Sequence, residues 1–207
     1  MKKVRVAVVD DHEVVCIGLK YTIDVFKDLE FVGSHHDGEG AAAFVREVQS
    51  DVTLLDIRMP TKDGLVALEE ILASDPAAKV IMLSTVGTEE DVYRALELGA
   101  KGYVLKDDRT ENLIEAIRTV AQGGEYVPEA IRRIYAARQL RQPLTPRERQ
   151  TLDLLSLGSS NREIAEEMGI SEDAVKNHFR RINEKLGTKD RVEALSVALR
   201  RGLVRAG

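Results

Sequence analysis

The stretch Val52-Thr53-Leu54-Leu55-Asp56-Ile57-Arg58-Met59-Pro60 decides the fold. An apolar run of strand length ends in one carboxylate, and Pro60 stops ladder pairing soon afterwards. Strands that read as continuous apolar runs belong to sheets covered on both faces, and those are parallel sheets wrapped by helices. Asp56 then stands at the carboxyl end of a strand, where open α/β sheets gather their ligands.

Outward from this run the same alternation recurs. Val4 to Val9 reads as a strand, and Val14 to Phe26 has helical spacing with Val15, Leu19, Ile23 and Phe26 on one stripe. Further strands are expected at Phe31–Gly33, Val80–Leu83 and Tyr103–Leu105, and helices at Gly40–Val48, Gly64–Leu72, Glu89–Leu98 and Thr110–Ala121. Five rounds of strand then helix predict a parallel α/β domain over residues 1–124.

Gly123-Gly124 breaks this rhythm. Residues 125–143 read as a linker, with a basic helix from Pro128 to Gln142 that ends before Pro143. From Leu144 strand signals vanish. Thr145-Pro146-Arg147-Glu148 and Ser160-Asn161-Arg162-Glu163 are capping boxes, and Ser171 caps a third helix with acids in its first turn. A fourth spans about Arg191 to Arg201. Residues 144–207 are thus expected to form a small all-α domain.

Composition sets bounds on function. The chain has 207 residues and a net charge of −5. The charge is unevenly placed: residues 1–124 carry 14 Lys+Arg against 23 Asp+Glu, whereas residues 125–207 carry 16 against 12. A polyanion partner therefore belongs with the second part. No apolar run approaches the ~20 residues of a membrane span, and the N-terminus lacks a signal-peptide core. One cysteine, Cys16, excludes an internal disulfide, fits a reducing cytoplasm and is expected simply to pack.

The carboxyl ends of the expected strands carry a chemically coherent set. Asp10 and Asp11 follow the first, Asp56 the third, Ser84 the fourth and Lys106 the fifth. Clustered carboxylates repel one another and bind a hard, oxygen-seeking cation such as Mg²⁺. A carboxylate can attack phosphorus to form an acyl phosphate while a lysine neutralises charge on the transferring group. Taken singly, each residue has a blander reading as a helix cap, a turn residue or a solvated lysine. Their convergence on one rim favours phosphoacceptor chemistry. His12 is expected to fill a rim or packing role, and His35 and His36 are expected to point to opposite faces.

Val-Val-Asp10-Asp11-His12, Leu55-Asp56-Ile57-Arg58-Met59-Pro60 with Asp63-Gly64, Leu83-Ser84-Thr85 and Gly99-Ala100-Lys101-Gly102-Tyr103-Val104-Leu105-Lys106 resemble the receiver domain of bacterial two-component response regulators. The resemblance implies a flavodoxin-like, doubly wound (βα)5 fold. It implies that Asp56 takes phosphate from a phosphohistidine of a sensor histidine kinase. Mg²⁺ would be held by Asp11, Asp56 and the Arg58 backbone carbonyl, with Asp10 acting through water. Lys106 would contact the phosphate, Ser84 would be the switch hydroxyl and Tyr103 the aromatic that moves with it.

The span from Asn161 to Gly187 has helix-turn-helix spacing, with Val175, Phe179, Ile182 and Leu186 on the core stripe of the second helix. Lys176, Asn177, Arg180 and Arg181 lie off that stripe and suit phosphate and base contacts in duplex DNA. Leu144-Thr145-Pro146-Arg147-Glu148-Arg149, Ser160-Asn161-Arg162-Glu163-Ile164-Ala165 and Ala174 to Leu186 resemble the LuxR-type helix-turn-helix, with Ser159, Ala174 and Phe179 departing from its usual residues. That resemblance makes Lys176, Asn177 and Arg180 base-facing and leaves His178 to packing. Residues 144–207 carry 12 basic and 10 acidic side chains. So thin a surplus predicts weak single-site affinity and a homodimer on paired half-sites. The combined layout resembles the NarL/FixJ class and implies a phosphorylation-controlled transcription factor. The rivals are a regulator of the same layout that works without phosphorylation, and a phosphohydrolase using Asp56 as nucleophile. The latter lacks a general acid, so no enzyme is expected.

Overall fold

Apolar residues of five strands meet helices on both sides of one sheet. The strands are β1 (Val4–Val9), β2 (Leu29–His35), β3 (Val52–Asp56), β4 (Val80–Ser84) and β5 (Gly102–Leu105), all parallel in the order β2-β1-β3-β4-β5. The helices between and after them are α1 (Glu13–Asp24), α2 (Ala41–Glu47), α3 (Gly64–Ser74), α4 (Glu89–Leu98) and α5 (Thr110–Ala121). In this computed structural model residues 2–85 and 87–204 are described; the expected outer domain bounds, 1 and 207, lie outside them. Two compact units result, one of residues up to 87 with 91–135, the other of 88–90 with 136 onward.

The two-residue period of the strands sorts their side chains into two cores. Val9, Leu55, Met82 and Tyr103 enter one cluster with Leu65, Leu68 and Val92. Val8, Leu54, Leu83 and Val104 enter the other with Cys16, Ile23, Leu113 and Ile117 of α1 and α5. Strand order reverses direction between β1 and β3, and that switch point opens a crevice at their carboxyl ends.

Two strand ends differ instructively from the sequence reading. Ladder pairs Asp56↔Leu83 and Ser84↔Leu105 carry β3 and β4 through one more polar residue each. β2 runs from Leu29 to His35, longer than Phe31–Gly33, because an edge strand has one open side that tolerates Glu30, Ser34 and His35. The helix α6 spans Glu129–Gln139, shorter than the expected 128–142. Its Ile131 is buried in the first core, Tyr135 stacks on Tyr93, and the Tyr135 hydroxyl donates to Glu97 Oε1 at 2.6 Å.

The second unit consists of α7 (Pro146–Ser156), α8 (Asn161–Met168), α9 (Glu172–Leu186) and α10 (Arg191–Arg201). Both expected capping boxes form, at Thr145/Glu148 and Ser160/Glu163. Gly169 adopts φ +64°, the left-handed turn that ends α8 and aims α9 across it. Leu152, Ile164, Val175, Ile182 and Ala198 form its dry centre. Among the described residues no helix is long and apolar enough to cross a membrane.

Candidate functional site

The rim at the end of β1 and β3 gathers the residues that the sequence nominated. Asp10 is fully buried and Asp56 nearly so. Lys106 Nζ lies 2.7 Å from Asp10 Oδ2 and 3.0 Å from Asp56 Oδ1, bridging the two. Asp11 is partly exposed at the mouth. Asp56 Oδ2 is buried and has no hydrogen-bond partner among the described residues. One oxygen of the central carboxylate is therefore tied to the lysine, and the other is enclosed without a hydrogen-bond partner among the described residues.

Electrostatics follow from that geometry. Burial pushes the Asp56 carboxyl above its ordinary value, the hydrogen bond from Lys106 pulls it back, and the charge on Asp10 raises it again. Burial likewise opposes the charge on Lys106, but its pairing with Asp10 and Asp56 wins and holds the ammonium above its usual range. The result is a charged lysine locked between two enclosed carboxylates.

Local structure explains why these side chains arrive together. Asp63 caps α3 by accepting from the Leu65 amide, and the Gly64 amide donates to the Ile57 carbonyl. A Cβ on Gly64 would fall 1.8 Å from the Asp56 carbonyl oxygen, so only glycine lets α3 start this close to the acceptor strand. Ser84 is buried on β4. Tyr103 is fully buried on β5; burial pushes its phenol up to about 12, with a polar contact from Ser84 opposing. The ring thus points inward, beside the Ser84 hydroxyl.

Other residues behave as expected or go beyond expectation. Cys16 is buried, with its thiol on the Asp10 carbonyl and pushed up to about 11 by burial, as a packing residue would be. His35 stacks on Phe44, while His36 Nδ1 lies 3.2 Å from the Asp10 carbonyl, so the two do not share a site. The Arg58 side chain was not singled out in sequence. It pairs with buried Asp91 of α4 and reaches Asp63 at 3.7 Å, tying the loop after Asp56 to a helix 33 residues later. The His12 ring also folds back, with Nδ1 at 3.0 Å from Asp11 Oδ1 and 3.3 Å from Asp10 Oδ1.

A second surface lies on α9. Val175, Phe179, Ile182 and Leu186 are buried, and Lys176, Asn177, Arg180 and Arg181 are exposed. Lys176 and Arg180, one turn apart, line an open groove of about 500 Å³ with Asn161, Phe179, Asn183 and Arg191. Asn177 and Arg181 occupy the neighbouring row of the helix. Lys176 Nζ is held by Asp173 at 2.8 Å. His178 Nδ1 lies 2.9 Å from Thr151 Oγ1, turned toward α7 rather than the groove. Sequence reading did not single out Arg191. Its guanidinium stacks over Phe179 and donates to Asn161 Oδ1 and the Ser159 carbonyl, bracing α8 against α9. Its position just after the Asp190 cap of α10 gave no hint of that reach.

Comparison with known proteins finds a family for each part of the chain. Residues 6–118 match the family described as response regulator receiver domain, and residues 142–198 match that described as bacterial regulatory proteins, luxR family. The transcriptional regulatory protein DesR of Bacillus subtilis is 36% identical over 200 residues, covering 96% of this chain and 98% of that protein. The response regulator protein VraR of Staphylococcus aureus is 34% identical over 206 residues, covering 97% and 99%. The crystal structure of response regulator ChrA, from a heme-sensing two-component system, is 34% identical with TM-score 0.59, covering 98% and 100%. RcsB from Salmonella enterica serovar Typhimurium, solved on a promoter with a phosphomimetic, has TM-score 0.74 at 22% identity, covering 97% and 100%, a likeness of fold alone.

Proposed function

The chain belongs to the two-component response regulators that join a receiver domain to a LuxR-type DNA-binding domain, and on that premise we propose that Asp56 is its phosphoacceptor. Members of this family are DNA-binding transcriptional regulators rather than enzymes. The observation that carries the proposal is the division of labour at Asp56: Oδ1 is paired with Lys106, and buried Oδ2 lacks a partner. In the transfer, a carboxylate oxygen of Asp56 forms a bond to phosphorus as the N–P bond of a kinase phosphohistidine breaks, and the electron pair returns to the imidazole nitrogen. Lys106 stays charged and neutralises oxyanion charge on the moving group. Ser84, buried on the adjacent strand, would donate to a phosphate oxygen. Tyr103, packed beside it, would report that change to the α4 side of the sheet.

The donor set fits a divalent cation, since Asp10, Asp11, His12 and Asp56 each offer a ligand atom within 4.8 Å of one another. Asp11, Asp56 and the Arg58 carbonyl would hold Mg²⁺, with Asp10 acting through water. Once bound, Mg²⁺ supplies charge compensation for the incoming phosphoryl group.

The receiver would comprise residues 1–124, the linker 125–143 and the DNA-binding domain 144–207. Lys176, Asn177, Arg180 and Arg181 would meet duplex DNA through its major groove. A homodimer would double the weak electrostatic contact. Support for pairing comes from the exposed apolar stripe of Val14, Ile17 and Tyr21 on α1 with Val25 at its C-cap, which nothing in the receiver unit covers. The partners would be a sensor histidine kinase and operator DNA, and the compartment the cytoplasm. The intact acidic site with Lys106 and Ser84 argues against a regulator indifferent to phosphorylation. One experiment tests the proposal: phosphate incorporation from acetyl phosphate with Mg²⁺, and operator binding before and after, in wild type and Asp56→Asn. Incorporation confined to wild type is expected; a wild type that takes up no phosphate would sink the assignment.

A further inference from the structure

The His12 imidazole is bound into the acidic cluster itself. Its Nδ1 lies 3.0 Å from Asp11 Oδ1 and 3.3 Å from Asp10 Oδ1, and the His12 amide donates to the same Asp10 oxygen at 3.0 Å. An octahedral shell with bonds of about 2.1 Å separates neighbouring ligands by about 3 Å. The 3.0 Å between His12 Nδ1 and Asp11 Oδ1 is the spacing of two neighbouring ligands in such a shell. Asp10, Asp11, His12 and Asp56 each offer a ligand atom within 4.8 Å of one another, and the buried Oδ2 of Asp56 has no hydrogen-bond partner among the described residues. His12 is well exposed, its side chain 63% accessible, so the ring takes this position without being forced there by packing.

We propose that His12 is a metal ligand through Nδ1, and that it biases this site toward divalent transition ions over Mg²⁺. The proposal rests on the reading of Asp10, Asp11 and Asp56 as the cation site. Carboxylates alone make a hard, all-oxygen site suited to Mg²⁺; one imidazole adds a borderline donor that Mg²⁺ uses poorly and Co²⁺, Ni²⁺ or Zn²⁺ use well. The neutral ring would carry its proton on Nε2, leaving Nδ1 free to donate its lone pair. Selectivity would then follow from the ligand type, and the phosphoacceptor would be served by whichever ion the site holds.

Titration of the full-length protein with Mg²⁺ and, separately, with Co²⁺ tests this, in wild type, His12→Ala, His12→Asn and Asp11→Asn. Asn keeps a hydrogen-bonding side chain at the rim but removes the imidazole. If His12 is a ligand, Co²⁺ affinity falls at least about tenfold in both His12 variants while Mg²⁺ affinity stays within about twofold. Co²⁺-loaded wild type also shows a paramagnetically shifted imidazole ring proton in its ¹H NMR spectrum that both variants lack. Equal loss for the two ions, or no change for either, means that His12 only hydrogen-bonds the carboxylates and overturns the proposal. A shifted ring proton that survives Asp11→Asn belongs to another histidine and overturns it as well. A wild type that binds neither ion overturns the cation site itself, and the proposal with it.

Discussion

Lys106 Nζ stands 3.0 Å from Asp56 Oδ1, with the two side chains 12% and 3% exposed. The lysine is the only cation paired with either Asp10 or Asp56 among the described residues. Replacing it by Met would leave Asp56 enclosed beside Asp10 with no lysine between them, and burial together with the charge on Asp10 would raise the Asp56 carboxyl further above its ordinary value. A carboxyl whose folded value is raised contributes its full stability below the unfolded value and loses it as pH rises through the folded one. Lys106→Met should therefore be destabilised by about 3 kcal/mol near neutral pH, a deficit that shrinks as pH falls toward about 5. Thermal unfolding of both proteins across pH measures this; a deficit independent of pH would show that the pair is not what the lysine stabilises. Mg²⁺ should narrow the gap at neutral pH.

Gly64 is the second point of stress. With a Cβ only 1.8 Å from the Asp56 carbonyl oxygen, Gly64→Ala must push α3 away from the end of β3. The Asp63 cap and the Gly64–Ile57 hydrogen bond would go with it. A loss of about 2–4 kcal/mol is expected from overpacking and a broken cap together. Chemical denaturation of the variant, with phosphate uptake measured in parallel, checks both consequences. Wild-type stability and uptake would mean that the loop relaxes freely.

On α9, Asp173 holds Lys176 at 2.8 Å on an exposed face. The carboxylate would compete with DNA phosphate for the ammonium and would repel phosphate itself. Asp173→Asn should tighten operator binding several-fold and steepen its dependence on salt, because one more cation is freed to displace counterions. Lys176→Ala and Arg180→Ala should each weaken binding, leaving phosphate uptake at Asp56 intact. Fluorescence anisotropy at two or three salt concentrations distinguishes these results; an unchanged slope in Asp173→Asn would place Lys176 away from the phosphates.

Much of the acidic rim was legible because each of its members ends an apolar run, and strand ends in a parallel sheet converge by topology. The same holds for the helix caps of the second unit, whose partners lie three residues away. What stayed hidden depends on distant packing. Arg58 meets Asp91 across 33 positions only because α4 lies against the loop after Asp56. Arg191 reaches Ser159 and Asn161 because α10 crosses the start of α8. His12 was expected in a rim or packing role and lies at the rim against Asp10 and Asp11, but its sequence neighbours do not say which way the ring turns at a helix N-terminus. The end of α6 was placed three residues late: Pro143 restricts only Gln142, whereas the helix already closes at Gln139.

Glu148 shows how a local cap becomes a long-range clamp. It is buried, its carboxylate accepts from the Thr145 amide, and Lys185 of α9 donates to it at 2.6 Å while also reaching the Pro143 carbonyl. Burial alone would raise its carboxyl, but the hydrogen bonds from Lys185 and Thr145 outweigh burial and the net shift is downward from 4.5. A carboxyl depressed in the folded state contributes stability above its unfolded value and loses it as pH falls through the folded value. The second unit should therefore weaken on acidification below about pH 4.5, where Glu148 protonates in the unfolded chain first. Glu148→Gln should lower stability by about 2 kcal/mol at neutral pH, since Lys185 keeps its charge but loses its anion. The same variant should show a shallower fall between neutral and acid pH, because the group whose ionisation is linked to folding is gone. Urea unfolding of the full chain, followed by far-UV circular dichroism at several pH values, reads both effects. If the variant and wild type decline in parallel with acid, the Glu148–Lys185 pair is not the source of the pH dependence.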